Sequence, residues 1–190
     1  MELLEQRILK EGQALPGNVL KVDSFLNQQI APDLSFKMGE DFAAHFADMH
    51  IDRVLTIEAS GIAIGVTTAM HLGVPLVFAR KKKSILMTDE IYSAEVYSYT
   101  KKESTMILVP KKFLPAGENI LIIDDFLASG EAAMTLAGIV ESAGSKVAGI
   151  GIAIEKSFQP GQKRITEAGY HLYSLARIQS LENCKIEFVK

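Results

Sequence analysis

Ile120-Leu121-Ile122-Ile123-Asp124-Asp125-Phe126-Leu127-Ala128-Ser129-Gly130-Glu131-Ala132 is the stretch on which the fold turns. Its four leading apolar residues read as a strand buried on both faces, with two adjacent carboxylates at its carboxyl end. A loop of small residues then opens into a helical pattern over 131–143, with Gly144 just beyond it. In an open α/β sheet that edge is where ligands are received. Small residues let the backbone approach a ligand, free amide hydrogens at the helix start cradle phosphate, and Ser129 adds a hydroxyl donor. Carboxylates beside such a cradle must face something other than the phosphate. They suit sugar hydroxyls, or a divalent cation held directly or through water. A sugar phosphate satisfies both halves; the competing reading is an ordinary strand-to-helix turn with solvated acids.

Further apolar runs of strand length stand at 54–57, 74–79, 106–109 and 147–154, and helical patterns at 34–49 and 62–72. This alternation predicts an α/β fold, a mostly parallel twisted sheet flanked by helices. Glu58-Ala59-Ser60-Gly61 echoes the first motif: a strand ends in an acid, and Ser-Gly opens a helix. Read alone it is equally a plain turn. Read beside the first motif it is a second anion cradle on the same sheet edge, with Arg80 and Lys81 adding positive charge. Two cradles around one pair of carboxylates imply a ligand phosphorylated at both ends.

Three stretches fall outside this rhythm. Residues 1 to about 32 read as a short amphipathic helix and an extended, turn-rich segment. Residues 81–104 carry the lysine clumps Lys81-Lys82-Lys83 and Lys101-Lys102, either a solvated hairpin or a basic lid beside an anionic ligand. From 156 onward there is no clear strand–helix alternation.

Composition excludes other classes. The length of 190 residues suits one domain, and 20 Lys and Arg against 23 Asp and Glu argue against wholesale binding to nucleic acid or an anionic membrane. Cys184, the single cysteine, excludes a disulfide framework and a four-cysteine zinc site. The longest apolar run, 147–154, falls well short of the ~20 residues of a membrane span, and acids in Met1-Glu2-Leu3-Leu4-Glu5 are unlike a leader peptide. The expected setting is cytoplasmic. A Gly-x-x-x-x-Gly-Lys-Ser/Thr loop is missing from the sequence, and Gly149-Ile150-Gly151 lacks the third glycine of a dinucleotide fingerprint. His45 and His50 are spaced to point to different helix faces, while His71 and His171 read as isolated surface or packing residues.

Residues 122–130 resemble the diphosphoribosyl-binding signature of the type I phosphoribosyltransferases. Leu20-Lys21-Val22-Asp23-Ser24-Phe25-Leu26-Asn27, Glu58-Ala59-Ser60-Gly61, Ile154-Glu155-Lys156-Ser157-Phe158-Gln159-Pro160-Gly161 and Leu175-Ala176-Arg177-Ile178 are similar to the xanthine-using bacterial branch of that family. The resemblance implies the type I phosphoribosyltransferase fold as a single domain over 1–190, with a hood from about 1–32 and 156–190 and a mobile lid over about 81–105. It implies purine salvage, in which xanthine and 5-phospho-α-D-ribosyl 1-diphosphate (PRPP) give xanthosine 5′-monophosphate (XMP) and diphosphate. Under it Ala128, Ser129, Gly130, Glu131 and Ala132 hold the 5′-phosphate, and Asp124 and Asp125 the ribose hydroxyls. Ala59, Ser60, Arg80 and Lys81 lie along the diphosphate with magnesium (Mg2+), which is expected through diphosphate and water rather than on protein ligands. Lys156 donates to the 6-oxo group, Leu20 (through its backbone) and Asn27 contact the base, and Phe158 stacks on it. A homodimer is implied as well.

Two departures stand out. Ser129-Gly130 replaces the common Thr-Gly and keeps the hydroxyl, whereas Glu131 brings a carboxylate to the phosphate-binding helix and must turn its side chain away. The alternatives are a hypoxanthine or guanine phosphoribosyltransferase, or a PRPP-sensing regulator. The latter needs a DNA-binding module that the roughly 30 residues before the core do not supply.

Overall fold

The computed structural model describes residues 1–82, 90–98 and 103–189. The chain runs through α1 (Glu2–Glu11), the short hairpin of β1 (Gln13–Leu15) and β2 (Val19–Lys21), and a wide helical turn over Asp23–Asn27. Next come α2 (Pro32–His45), β3 (Arg53–Ile57), α3 (Gly61–Leu72) and β4 (Leu76–Ala79). The hairpin of β5 (Ile91–Ser98) and β6 (Glu103–Pro110) leads to β7 (Asn119–Leu127), α4 (Glu131–Ser142) and β8 (Lys146–Lys156). The order closes with α5 (Gly161–Glu167), β9 (Leu172–Ser180) and β10 (Glu187–Phe188).

A six-stranded sheet in the order β10-β9-β8-β7-β3-β4 forms the middle layer, parallel except for β10. The apolar run of β7 supplies both faces. Ile120 and Ile122 join one core, which includes Leu136 and Val140 of α4 and Ile165 of α5. Leu121 and Ile123 join the other, with Leu34, Met38 and Phe42 from one side of α2 and Ile64 of α3. All four β7 residues are fully buried, as a strand covered by helices on both sides requires. From β3 the chain crosses through α3 outward to β4, and from β7 through α4 the opposite way to β8. The direction therefore reverses between β3 and β7, and the loops leaving their carboxyl ends open a crevice. Among the described residues, no helix is long and apolar enough to cross a membrane.

Three expectations change. The run 106–109 belongs to the antiparallel β5–β6 hairpin, not the parallel sheet, and touches it through a bridge between Arg80 and Leu108. It reads as a buried strand because Ile107 and Val109 pack into the α4-side core, and a short apolar run does not reveal its pairing partner. Within 156–190, β9 is an interior strand paired in parallel with β8, so this part belongs to the sheet. Its register is set by tertiary pairing that its mixed pattern Leu172–Ser180 does not display. His171 is not isolated either: its Nε2 lies 2.9 Å from Nε2 of His45, whose ring stacks on Tyr173 with centroids 3.6 Å apart. Desolvation, and then the charge of His171, lower the His45 pKa.

Candidate active site

The decisive turn is built as the sequence suggests, with β7 continuing through both acids as far as Leu127. Asp124 is buried and accepts a hydrogen bond from the Asp125 amide at 3.0 Å. Burial, and then the charge of Asp125, push its pKa well above the ordinary carboxylate range, while the charge of Lys81 pulls the other way. Asp125 is half-buried and turned toward the N-terminal segment. Gly130 then takes the left-handed conformation (φ +83°) that a side chain would resist, and α4 starts at the next residue. Ala128, Ser129, Gly130, Glu131 and Ala132 all line the resulting hollow.

The second loop lies opposite. Glu58, Ala59 and Ser60 line the same cavity of about 380 Å³, together with Lys81, Asp124 and Asp125. The Glu58–Ala59 peptide is cis. Glu58, read in the sequence as the acid ending a strand but given no role, accepts the Lys81 amide at 2.7 Å and pairs with the Arg80 guanidinium at 3.5 Å. It thereby holds the turn after β4 against the loop after β3. The two loops thus line one cavity together with the acid pair. Of the basic clumps, only Lys81 and Lys82 fall among the described residues; Lys83, Lys101 and Lys102 lie outside them, as do 83–89 and 99–102 of the expected lid.

Asn27, exposed at the end of the Asp23–Asn27 turn, bridges the loops. Its amide donates to Asp125 Oδ2 at 3.0 Å and reaches Ser60 Oγ at 3.4 Å. Leu20 buries its side chain in the core from β2, where it pairs with Ala14 of β1. Lys156, at the end of β8, donates from Nζ to the Asn18 carbonyl at 2.8 Å and sits 5.8 Å from the Phe126 ring centroid. Half-burial lowers its pKa. Phe126 lines the cavity beneath it and is a second residue the sequence reading missed; an aromatic directly after the acid pair was the available signal. Arg80, Leu20, Asn27, Lys156 and Phe158 stand outside the cavity lining. Asn27 is tied to it through Asp125 and Lys156 through Phe126, while Phe158 is exposed in the turn after β8. Among the described residues, no group of three or more His, Cys, Asp or Glu is placed to hold a metal ion.

A family model described as a phosphoribosyl transferase domain matches residues 24–170, a span that includes both loops, the acid pair and Lys156. The chain belongs to the phosphoribosyltransferase family. Its fold is the type I phosphoribosyltransferase fold, and it is similar along its whole length to curated relatives. The xanthine phosphoribosyltransferase of Listeria monocytogenes serotype 4b (strain F2365) is 57% identical over 190 residues, covering 100% of this chain and 99% of the relative. That of Lactobacillus delbrueckii subsp. bulgaricus (strain ATCC BAA-365 / Lb-18) is 54% identical over 188 residues, covering 99% of this chain and 100% of the relative. Among solved structures, an adenine phosphoribosyltransferase from Thermoanaerobacter pseudethanolicus is 26% identical with a TM-score of 0.76, covering 92% of this chain and 99% of its own. The phosphoribosyltransferase architecture is therefore shared by proteins named for different purines.

Proposed function

We propose that this protein transfers the 5-phosphoribosyl group of PRPP to xanthine in the cytoplasm, releasing XMP and diphosphate. The observation that carries the reading is the pair of facing loops, at 58–60 and 128–132, with Asp124 and Asp125 between them and Lys156 beyond Phe126. That arrangement suits PRPP: the 5′-phosphate on the amides at the start of α4, the ribose hydroxyls on the acids, and the diphosphate beside Ala59, Ser60, Arg80 and Lys81. Breaking the bond from C1 to the diphosphate leaves positive charge on the sugar and negative charge on the leaving group. Lys81 and Arg80 answer the latter, and Asp125 stands near the former. The hard oxygen donors of Glu58 and Asp125 fit magnesium held through water and the diphosphate itself. When bound, magnesium supplies neutralisation of the leaving group.

Lys156 chooses the base. An ammonium donates to a 6-oxo group, whereas an amino group there would set donor against donor. Asn27 supplies a donor for the 2-oxo group that distinguishes xanthine from hypoxanthine, once its bond to Asp125 is exchanged. The Asn27→Ala variant is therefore expected to lose about tenfold in kcat/KM for xanthine and much less for hypoxanthine, the effect of one hydrogen bond. Equal losses on both bases would remove Asn27 from base recognition. The N-terminal segment and the end of β8 act as hood, residues 81–105 as lid, and the working form is a homodimer.

Steady-state assays with PRPP, magnesium and each of xanthine, guanine, hypoxanthine and adenine test the whole reading. Xanthine is expected to give the highest kcat/KM, and omission of magnesium to stop turnover. Preferential use of hypoxanthine or guanine would assign the enzyme to the neighbouring purine class, and PRPP binding without turnover would make it a sensor.

A further inference from the structure

We propose that Arg164 of α5 is a positioning residue for the 5′-phosphate loop, cancelling the charge of Glu131 and turning the loop amides toward the ligand. The inference rests on the reading of 128–132 as the phosphate cradle. Glu131 is otherwise an obstacle, because its carboxylate stands in the first turn of α4, at the cavity where a phosphate would bind. The Arg164 guanidinium takes up that carboxylate in an ion pair and also donates to the Ser129 carbonyl at 3.1 Å.

A second tie lies one turn earlier on the same element. The Gly161 amide donates to the Ala128 carbonyl at 2.9 Å. A Cβ on Gly161 would fall 2.5 Å from that carbonyl oxygen and 3.0 Å from the Gly130 nitrogen, so the approach depends on the missing side chain. Two successive carbonyls of the loop, Ala128 and Ser129, are thus drawn toward α5. In a trans peptide the C=O and the following N–H point in opposite directions. The amides of Ser129 and Gly130 are consequently turned away from α5, the orientation an anion cradle needs. One cation therefore has two effects: it fixes the direction of the donors and removes the nearest competing anion.

Direct binding separates this inference from the identity of the base. Calorimetry on the full chain would use ribose 5-phosphate for the 128–132 cradle and magnesium diphosphate for the opposite one, with wild type, Arg164→Ala and Arg164→Ala combined with Glu131→Gln. Arg164→Ala is expected to weaken ribose 5-phosphate by about tenfold, the scale of one uncompensated charge near an anion, and to leave diphosphate within about twofold. Adding Glu131→Gln is expected to recover part of the loss, which a merely structural role for Arg164 would not allow. The inference is overturned if Arg164→Ala binds ribose 5-phosphate like wild type, if both ligands weaken equally, or if Glu131→Gln recovers nothing. Wild-type protein that binds neither ligand would overturn the reading of the site and this inference with it.

Discussion

Exchange of Asp124 and Asp125 for Asn is expected to lower kcat/KM for PRPP by about 10²–10³-fold, while the Asp124→Asn protein unfolds at a higher temperature than wild type at neutral pH. The loss follows from the proposed role. Asn keeps one acceptor but gives up the charge and half the acceptor capacity that a ribose cation and its hydroxyls would use. The gain follows from burial. Asp124 has its pKa raised in the folded state, first by desolvation and then by Asp125. The unfolded chain releases that proton in the ordinary carboxylate range and the folded chain holds it to higher pH. The native state binds more protons across that window, so stability falls as pH rises from the ordinary value to the raised one. Asparagine accepts the same Asp125 amide and has no proton to lose. Thermal unfolding from mildly acid to neutral pH should show a flatter slope for Asp124→Asn and a gain of about 2–4 °C at neutral pH, equivalent to about 1 kcal/mol in a chain of this size. Unchanged turnover would remove the acids from the site; an unfolding temperature below wild type would show that the buried carboxylate is compensated in the ligand-free protein.

Lys156→Met should shift the choice of base. Its kcat/KM on xanthine is expected to fall by about 10- to 100-fold, the range for a hydrogen bond involving a charged group, with adenine unchanged or improved. Methionine preserves most of the apolar stem and removes only the ammonium that sits 5.8 Å from the Phe126 ring centroid, so packing at the end of β8 is largely kept. The ammonium is half-desolvated, which is why its pKa is lowered, and a donor in that setting discriminates more sharply than one in water. A variant that retained the full preference for xanthine over adenine would transfer selectivity to the hood backbone around Leu20.

How much of this was legible in the sequence follows from distance along the chain. The strand, acid pair and phosphate loop are contiguous over 120–132, and the echo at 58–61 is equally local, so both could be read directly. The cavity brings Asp124 and Asp125 together with Ala59, Ser60 and Lys81. Ties across long separations were not legible. Asn27 reaches 98 residues to Asp125, and Arg164 reaches back 33 to Glu131. Nothing local to Arg164 signals a partner at the loop; the requirement that Glu131 turn its side chain away was the only hint. Likewise β9 is placed by its pairing with β8, and the β5–β6 hairpin owes its position to the α4-side core, neither of which is a property of a short window.

The bond from Asn27 to Asp125 and the bond from Lys156 to the Asn18 carbonyl give the cleft a further property. The two side chains proposed to meet the base, Asn27 and Lys156, each have a partner within the protein, Asp125 and the Asn18 carbonyl. Sugar and base then enter by swapping partners, and the net binding enthalpy is a small difference between bonds made and bonds given up. The same swap run backward assists departure: each group freed by a leaving nucleotide has a protein partner waiting within reach. On the proposed function, such partner exchange trades tightness of capture for ease of release.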